Sequence, residues 1–160
     1  MDAAEVLDNS HMMIIQAVDH LPELEWDIPN VCGEWSVKEI IAHLTSYEQV
    51  LIDLFNTFMG QEPTPYMLKY INDGPKFNRE EVEKRKYQLA FQVLEEYNDR
   101  QVEAVSLLEK IPVEKVRQPG AVPWYGQERC LADVIDIFYN HTCEHCAQIT
   151  EFRNKVNSNK

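Results

Sequence analysis

Residues 130–156, CLADVIDIFYNHTCEHCAQITEFRNKV, run without a proline or a glycine. Each residue of an α-helix advances about 100°, so with Val134 at zero Phe138, His141, His145, Ile149 and Phe152 all lie within about 60° of it. The pattern predicts one long amphipathic helix over 130–156 that carries two histidines on its buried face. Such a face must be covered by other elements of comparable length.

Working back toward the N-terminus, three more segments have the same period. Residues 2–21 place Val6, Leu7, Met13, Ile14, Ala17, Val18 and Leu21 at spacings near three and four, and Pro22 closes the run. A helix over 36–59 has a marked start: Ser36 and Glu39 form a capping box, Trp35 can staple onto Ile40, and Gly60 ends it. Its stripe runs through Ile40, Leu44, Tyr47, Leu51, Leu54, Phe55 and Phe58. A third helix is expected over 79–110, capped by Asn78 with Glu81, stapled by Phe77 and Val82, and stopped before Pro112. Residues 60–77 hold Pro63, Pro65, Gly74 and Pro75 and read as a long connection with a short helical turn near 66–71. No strand pattern or internal repeat interrupts this order, so the fold class is all-α, a four-helix bundle. The link of about 18 residues could cross the whole bundle at ~3.3 Å per residue, which lets the second and third helices run parallel.

The chain has 160 residues, 44% hydrophobic and 26% charged, enough for one core and one domain over 1–160. Its 27 acidic residues against 15 basic give a net charge of −12, which repels a phosphate backbone, so nucleic acid is not an expected partner. No stretch approaches the ~20 apolar residues of a membrane span. The start, MDAAEVLDNS, is acidic where a signal peptide would be basic, and a cytoplasmic location is expected. Cys32, Cys130, Cys143 and Cys146 are too few and too uneven for a disulfide framework, and reduced thiols are expected.

The histidines carry the chemistry. His141 and His145 stack on consecutive turns, the spacing at which two imidazoles can grip one ion. A lone histidine on such a face is usually a satisfied core residue. Two together strand four ring nitrogens, at about 1–3 kcal/mol for each one left unpaired, and a metal ion satisfies them directly. A third ligand could come from His43, at the edge of the second helix's stripe, or from His11 or His20 on the first. Spacing alone does not choose among these three.

The segment Glu34-Trp35-Ser36-Val37-Lys38-Glu39-Ile40-Ile41-Ala42-His43-Leu44, followed much later by His141-Thr-Cys-Glu-His145-Cys-Ala-Gln148-Ile149, resembles the DinB/YfiT-like superfamily of metal-binding helical bundles. The resemblance spans nearly the whole chain. It implies a bundle of up-down-down-up order in which the capped second helix gives one histidine and the last helix a pair four apart. It thus assigns the ligands to His43, His141 and His145, with water or substrate completing the shell. It also implies a homodimer, and its members include transferases and isomerases that use small thiols.

Other readings compete for the same residues. His141-Thr-Cys-Glu144-His145 fits the inverted zinc-protease pattern, with Glu144 as base, but too little chain follows to supply its downstream acidic ligand. Cys143-Glu-His-Cys146 is a C-x-x-C without a second such pair, a poor zinc signal, and both thiols read as packing or surface groups. Cys32, Trp35, Trp124 and Tyr125 fall in loops that could border the site, where the aromatics either wall a cavity or cap the core. The acidic third helix, with Glu80, Glu81, Glu83, Glu95 and Glu96, reads as a solvated face.

Three imidazoles leave an ion's charge uncompensated and a position open, unlike a structural zinc closed by four protein ligands. Zinc, nickel or ferrous iron would each suit the set. The expected function is a metal-dependent thiol S-transferase acting on small-molecule electrophiles with a low-molecular-weight thiol as cosubstrate. The alternatives are metal-assisted hydrolysis and a non-catalytic binding module.

Overall fold

The computed structural model describes residues 1–160, and its architecture is all-helical. Helix α1 spans Ala3–Val18, α2 Val37–Thr57, α3 Pro65–Asn72, α4 Gly74–Lys84, α5 Ala90–Leu108, α6 Val113–Val116 and α7 Leu131–Ser158. Single 3-10 turns lie at Glu23–Asp27 and Pro123–Tyr125. The β-type pairing is confined to one bridge between Cys32 and Trp35. No helix is long and apolar enough to cross a membrane.

Four long helices, α1, α2, α5 and α7, make the bundle, with α2 packed along α5 and α1 along α7. Asn9 donates to the Tyr139 hydroxyl at 2.8 Å and Arg153 to the carbonyl of Ala17 at 2.9 Å, so α1 and α7 run in the same direction. Gln101 donates to the carbonyl of Leu7 and His11 meets Asn98, so α1 and α5 run oppositely. Ile40, Ile41 and Leu44 share one apolar cluster with Val93 and Tyr97. Leu51, Leu54 and Phe55 share the other with Ala104 and Leu108, so α2 and α5 advance together. The connection holding α3 and α4 returns the chain to permit this.

The expected core residues Ile40, Leu44, Leu51, Val134, Phe138 and Ile149 are all buried. Each contributes about 1.5–3 kcal/mol of apolar transfer. Two clusters rather than one arise because polar groups interrupt the stripe at the level of His43, Glu48 and His145, all buried.

The expected helix over 79–110 is instead two helices. Arg85 leaves helical geometry, and its N–H bonds Val82 three residues back rather than Glu81 four back. The Glu81 carbonyl is taken by the Arg85 guanidinium at 3.1 Å, and the same group grips both carboxylate oxygens of Glu96 at 3.0 Å. A side chain has replaced the backbone donor that would have continued the helix, and the Arg85–Glu96 fork ties α4 to α5 across the break. Glu81 is therefore buried, not part of a solvated face. The cap is also displaced. Asp73, not Asn78, caps α4 by accepting from Lys76 N–H at 3.2 Å, and Pro75 sits in the first turn, where a missing N–H costs nothing. Phe77 thus lies inside α4 rather than before its cap. Helix α1 ends at Val18, not at 21, because His20 adopts a φ of 56°. The other expected helices stand to within two residues, and the turn near 66–71 is α3, capped by Thr64.

The capping box of α2 forms as expected: Ser36 Oγ accepts from Glu39 N–H at 3.2 Å and Glu39 accepts from Ser36 N–H at 3.1 Å. Ser36→Ala should cost about 1 kcal/mol, read as a lower urea midpoint with an unchanged slope.

Candidate metal centre

Helix α2 is buried from its first residue, Val37, and carries His43 into the core, and α7 passes opposite it in the other direction. His43 Nε2 lies 3.1 Å from His141 Nε2, which lies 3.1 Å from His145 Nε2. These three residues form a group whose ligand atoms all fall within 4.8 Å of one another and could hold a metal ion. No cysteine or carboxylate joins the group.

Hydrogen bonding among the rings cannot satisfy this arrangement. The amide oxygen of Gln148 accepts from Nδ1–H of His145 at 2.8 Å, so a neutral His145 presents a lone pair at Nε2. His141 Nε2 carries either one hydrogen or one lone pair. If it donates to His145, it has nothing in its ring plane to offer His43. If it holds a lone pair, it faces the lone pair of His145. A cation that accepts all three lone pairs removes the conflict. The spacing fits one: two nitrogens each ~2.05 Å from an ion lie ~2.9 Å apart at a right angle and ~3.3 Å apart at the tetrahedral angle. The observed 3.1 Å lies between and does not choose a metal.

The protonation state agrees with this chemistry. Burial, and then the neighbouring charges of His141 and His145, lower His43 to about 2. Burial, and then His145, lower His141 to about 4. Burial also lowers His145, against its hydrogen bond to the Gln148 amide oxygen and the charge of Glu144. All three rings are neutral at pH 7, as ligands must be.

Aromatic rings enclose the cluster. Tyr47 stacks on His141 at 4.8 Å between centroids, with 25° between planes, and Trp35 leans on His43 at 4.9 Å. Trp35 thus borders the site rather than only stapling Ile40. Beside Tyr47 opens a recess of about 400 Å³ lined by Tyr70, Asn78, Trp124 and Tyr125 among others. The Tyr125 hydroxyl donates to that of Tyr70 at 2.9 Å. The loop aromatics Trp124 and Tyr125 therefore wall a cavity one side chain from the histidines. A larger cleft of about 550 Å³, bordered by α3 and α4, contains none of them.

The remaining candidates lie elsewhere. His11 pairs with Asn98 at 2.7 Å and His20 is exposed beside Asp19. Glu144 is exposed, which leaves the protease pattern without its buried base. Cys143 touches Met13 at 3.9 Å and Cys146 is buried in the core. Cys32 packs with the cluster near Trp35 but is not in the ligand group. Gln148 has no role in the sequence pattern, although its i+3 spacing from His145 places both on one face of α7.

No curated protein matches the chain. A crystal structure of a protein from Streptococcus pneumoniae superposes with a TM-score of 0.81 at 10% identity, covering 96% of this chain and 89% of that one, so the two share a fold. The sequence model of the DinB superfamily matches residues 7–149, from α1 into α7 and across all three histidines. The chain belongs to the DinB superfamily.

Proposed function

We propose that His43, His141 and His145 hold one divalent transition-metal ion and that the protein is a metal-dependent enzyme joining a small thiol to an electrophilic small molecule. The observation that carries the reading is the convergence of three imidazole Nε2 atoms with no cysteine or carboxylate in the group. An ion held there supplies a positive charge that lowers the pKa of a coordinated thiol or water.

The chain's own residues do the rest. The three imidazoles fix the centre, and Gln148 locks His145 with Nε2 inward. Tyr47 and Trp35 keep bulk water from the rings. The recess bounded by Tyr70, Trp124 and Tyr125 has no charged lining, which suits a neutral, apolar or aromatic electrophile. In the transfer, sulfur bonds to the electrophilic carbon, the leaving group departs with its electron pair, and the thiol proton passes to solvent. No general base is needed where the thiol is already ionised.

The cobalt-substituted protein tests this. Adding a bacterial low-molecular-weight thiol should produce a sulfur-to-metal charge-transfer band, and an electrophile should then be consumed with loss of free thiol. Absence of the band, together with metal-dependent cleavage of an ester or amide without thiol, would replace the transferase reading with hydrolysis.

A further inference from the structure

Glu48 lies on α2, buried in the core with carboxyl oxygen Oε2 unpartnered. A glutamate is rarely buried without a partner, because desolvating it is costly. Burial pushes this carboxyl up to about 7. His141 Nδ1 is also buried and without a partner. Glu48 and His141 line the same void of about 10 Å³, bordered by α1, α2 and α7. That is about the space of one water molecule, which needs two to four polar neighbours. Ser10 lines it too, and its hydroxyl hydrogen is already donated to the carbonyl of Val6 at 3.1 Å, leaving lone pairs free to accept.

The tautomer of His141 supplies the missing donor. A ring that offers its Nε2 lone pair to the cluster carries its hydrogen on Nδ1. That hydrogen points away from the cluster. A water in the void can accept it while donating to Glu48 and to Ser10, the three hydrogen bonds a buried water usually makes.

We propose that Glu48 is a positioning residue for the metal centre: through one water its carboxyl takes the Nδ1–H of His141 and fixes that ring with Nε2 directed at the ion. The proposal rests on the metal reading above. It explains why an acidic side chain occupies the core at a level where an apolar one would pack better. A carboxyl behind a ligating imidazole also strengthens the ring as a donor, and loss of such a partner typically costs ten- to a hundredfold in metal affinity.

The test is a series at Glu48 in the full chain, using Zn²⁺ and a competing chelator. Glu48→Met keeps the volume and removes the acceptor. It should bind Zn²⁺ about ten- to a hundredfold more weakly while the metal-free protein becomes more stable to urea at pH 8. Glu48→Gln keeps an acceptor without its charge and should recover part of the affinity. Opposite signs for affinity and stability distinguish positioning from mere packing, which would lower both. Unchanged affinity in Glu48→Met, or loss of affinity and stability together, would overturn the proposal. A wild-type chain that takes up no Zn²⁺ would instead refute the metal reading. Nitrogen-15 spectra of the metal-free protein then decide the contact separately. Nδ1 of His141 should be protonated in wild type and less so in Glu48→Met, and identical spectra would reject it.

Discussion

His43→Ala and His145→Ala should each weaken divalent-metal binding by roughly two to three orders of magnitude and leave the helices intact. Zinc sites of four protein ligands bind with about 10–16 kcal/mol, or ~2.5–4 kcal/mol per ligand, and each tenfold in affinity is about 1.4 kcal/mol. The two substitutions act on different helices, α2 and α7, so a shared effect would mark one centre rather than two local defects. The fold should survive because both apolar clusters are complete without the histidines. Removing His43 also relieves the conflict of hydrogens and lone pairs at the His141 contact. Elemental analysis after metal add-back and gel filtration, with far-ultraviolet circular dichroism of the same samples, reads both halves. Full metal retention by both variants would reject these ligands. A wild-type protein that retains none would reject the centre itself.

What the chain makes legible follows from how local each signal is. The capping box at Ser36 and Glu39 lies within one turn of helix, and the six apolar and imidazole positions of α7 repeat on one face. Both are therefore readable from neighbours in the chain. The pair His141 and His145 is visible for the same reason. The break at Arg85 was not, because the face that carries Val82 continues in register to Val93 and Tyr97 as though no break occurred. What stops the helix is the grip of Arg85 on the Glu81 carbonyl and on Glu96, an exchange of backbone for side-chain bonding that periodicity does not register. Asn78 with Glu81 looked more like a capping box than Asp73, whose partner is only a backbone N–H three residues on. His43 could not be told from His11 or His20 by spacing, since the choice depends on which helix faces α7 at that level. Family resemblance supplied that long-range information, and the 3.1 Å contact between His43 and His141 agrees with it.

The metal-free protein should lose stability as pH falls from 6.5 to 5, and lose it faster once Glu48 is replaced. His43 is lowered to about 2 and His141 to about 4, chiefly by burial, from 6.5 in an unfolded chain. Between pH 6.5 and 4 the unfolded chain therefore takes up protons that the folded chain refuses, so acid favours unfolding. Each such site costs about 1.4 kcal/mol per pH unit, or ~2 kcal/mol at pH 5, and the lowered His145 adds to the same side. Glu48 has the opposite sign. Its carboxyl, raised by burial to about 7 from 4.5, holds a proton in the fold that the unfolded chain lacks between those values, and so resists the loss. Wild type should thus fall more gently than its histidines alone would dictate. Glu48→Met should steepen the slope by about 1.4 kcal/mol per pH unit, and His43→Ala should flatten it by the same amount. Urea midpoints at pH 7, 6 and 5 in the presence of a chelator give the three slopes. Equal slopes in all three proteins would mean that these groups titrate in the fold as they do in water, and that the core around His43 and Glu48 is open to solvent.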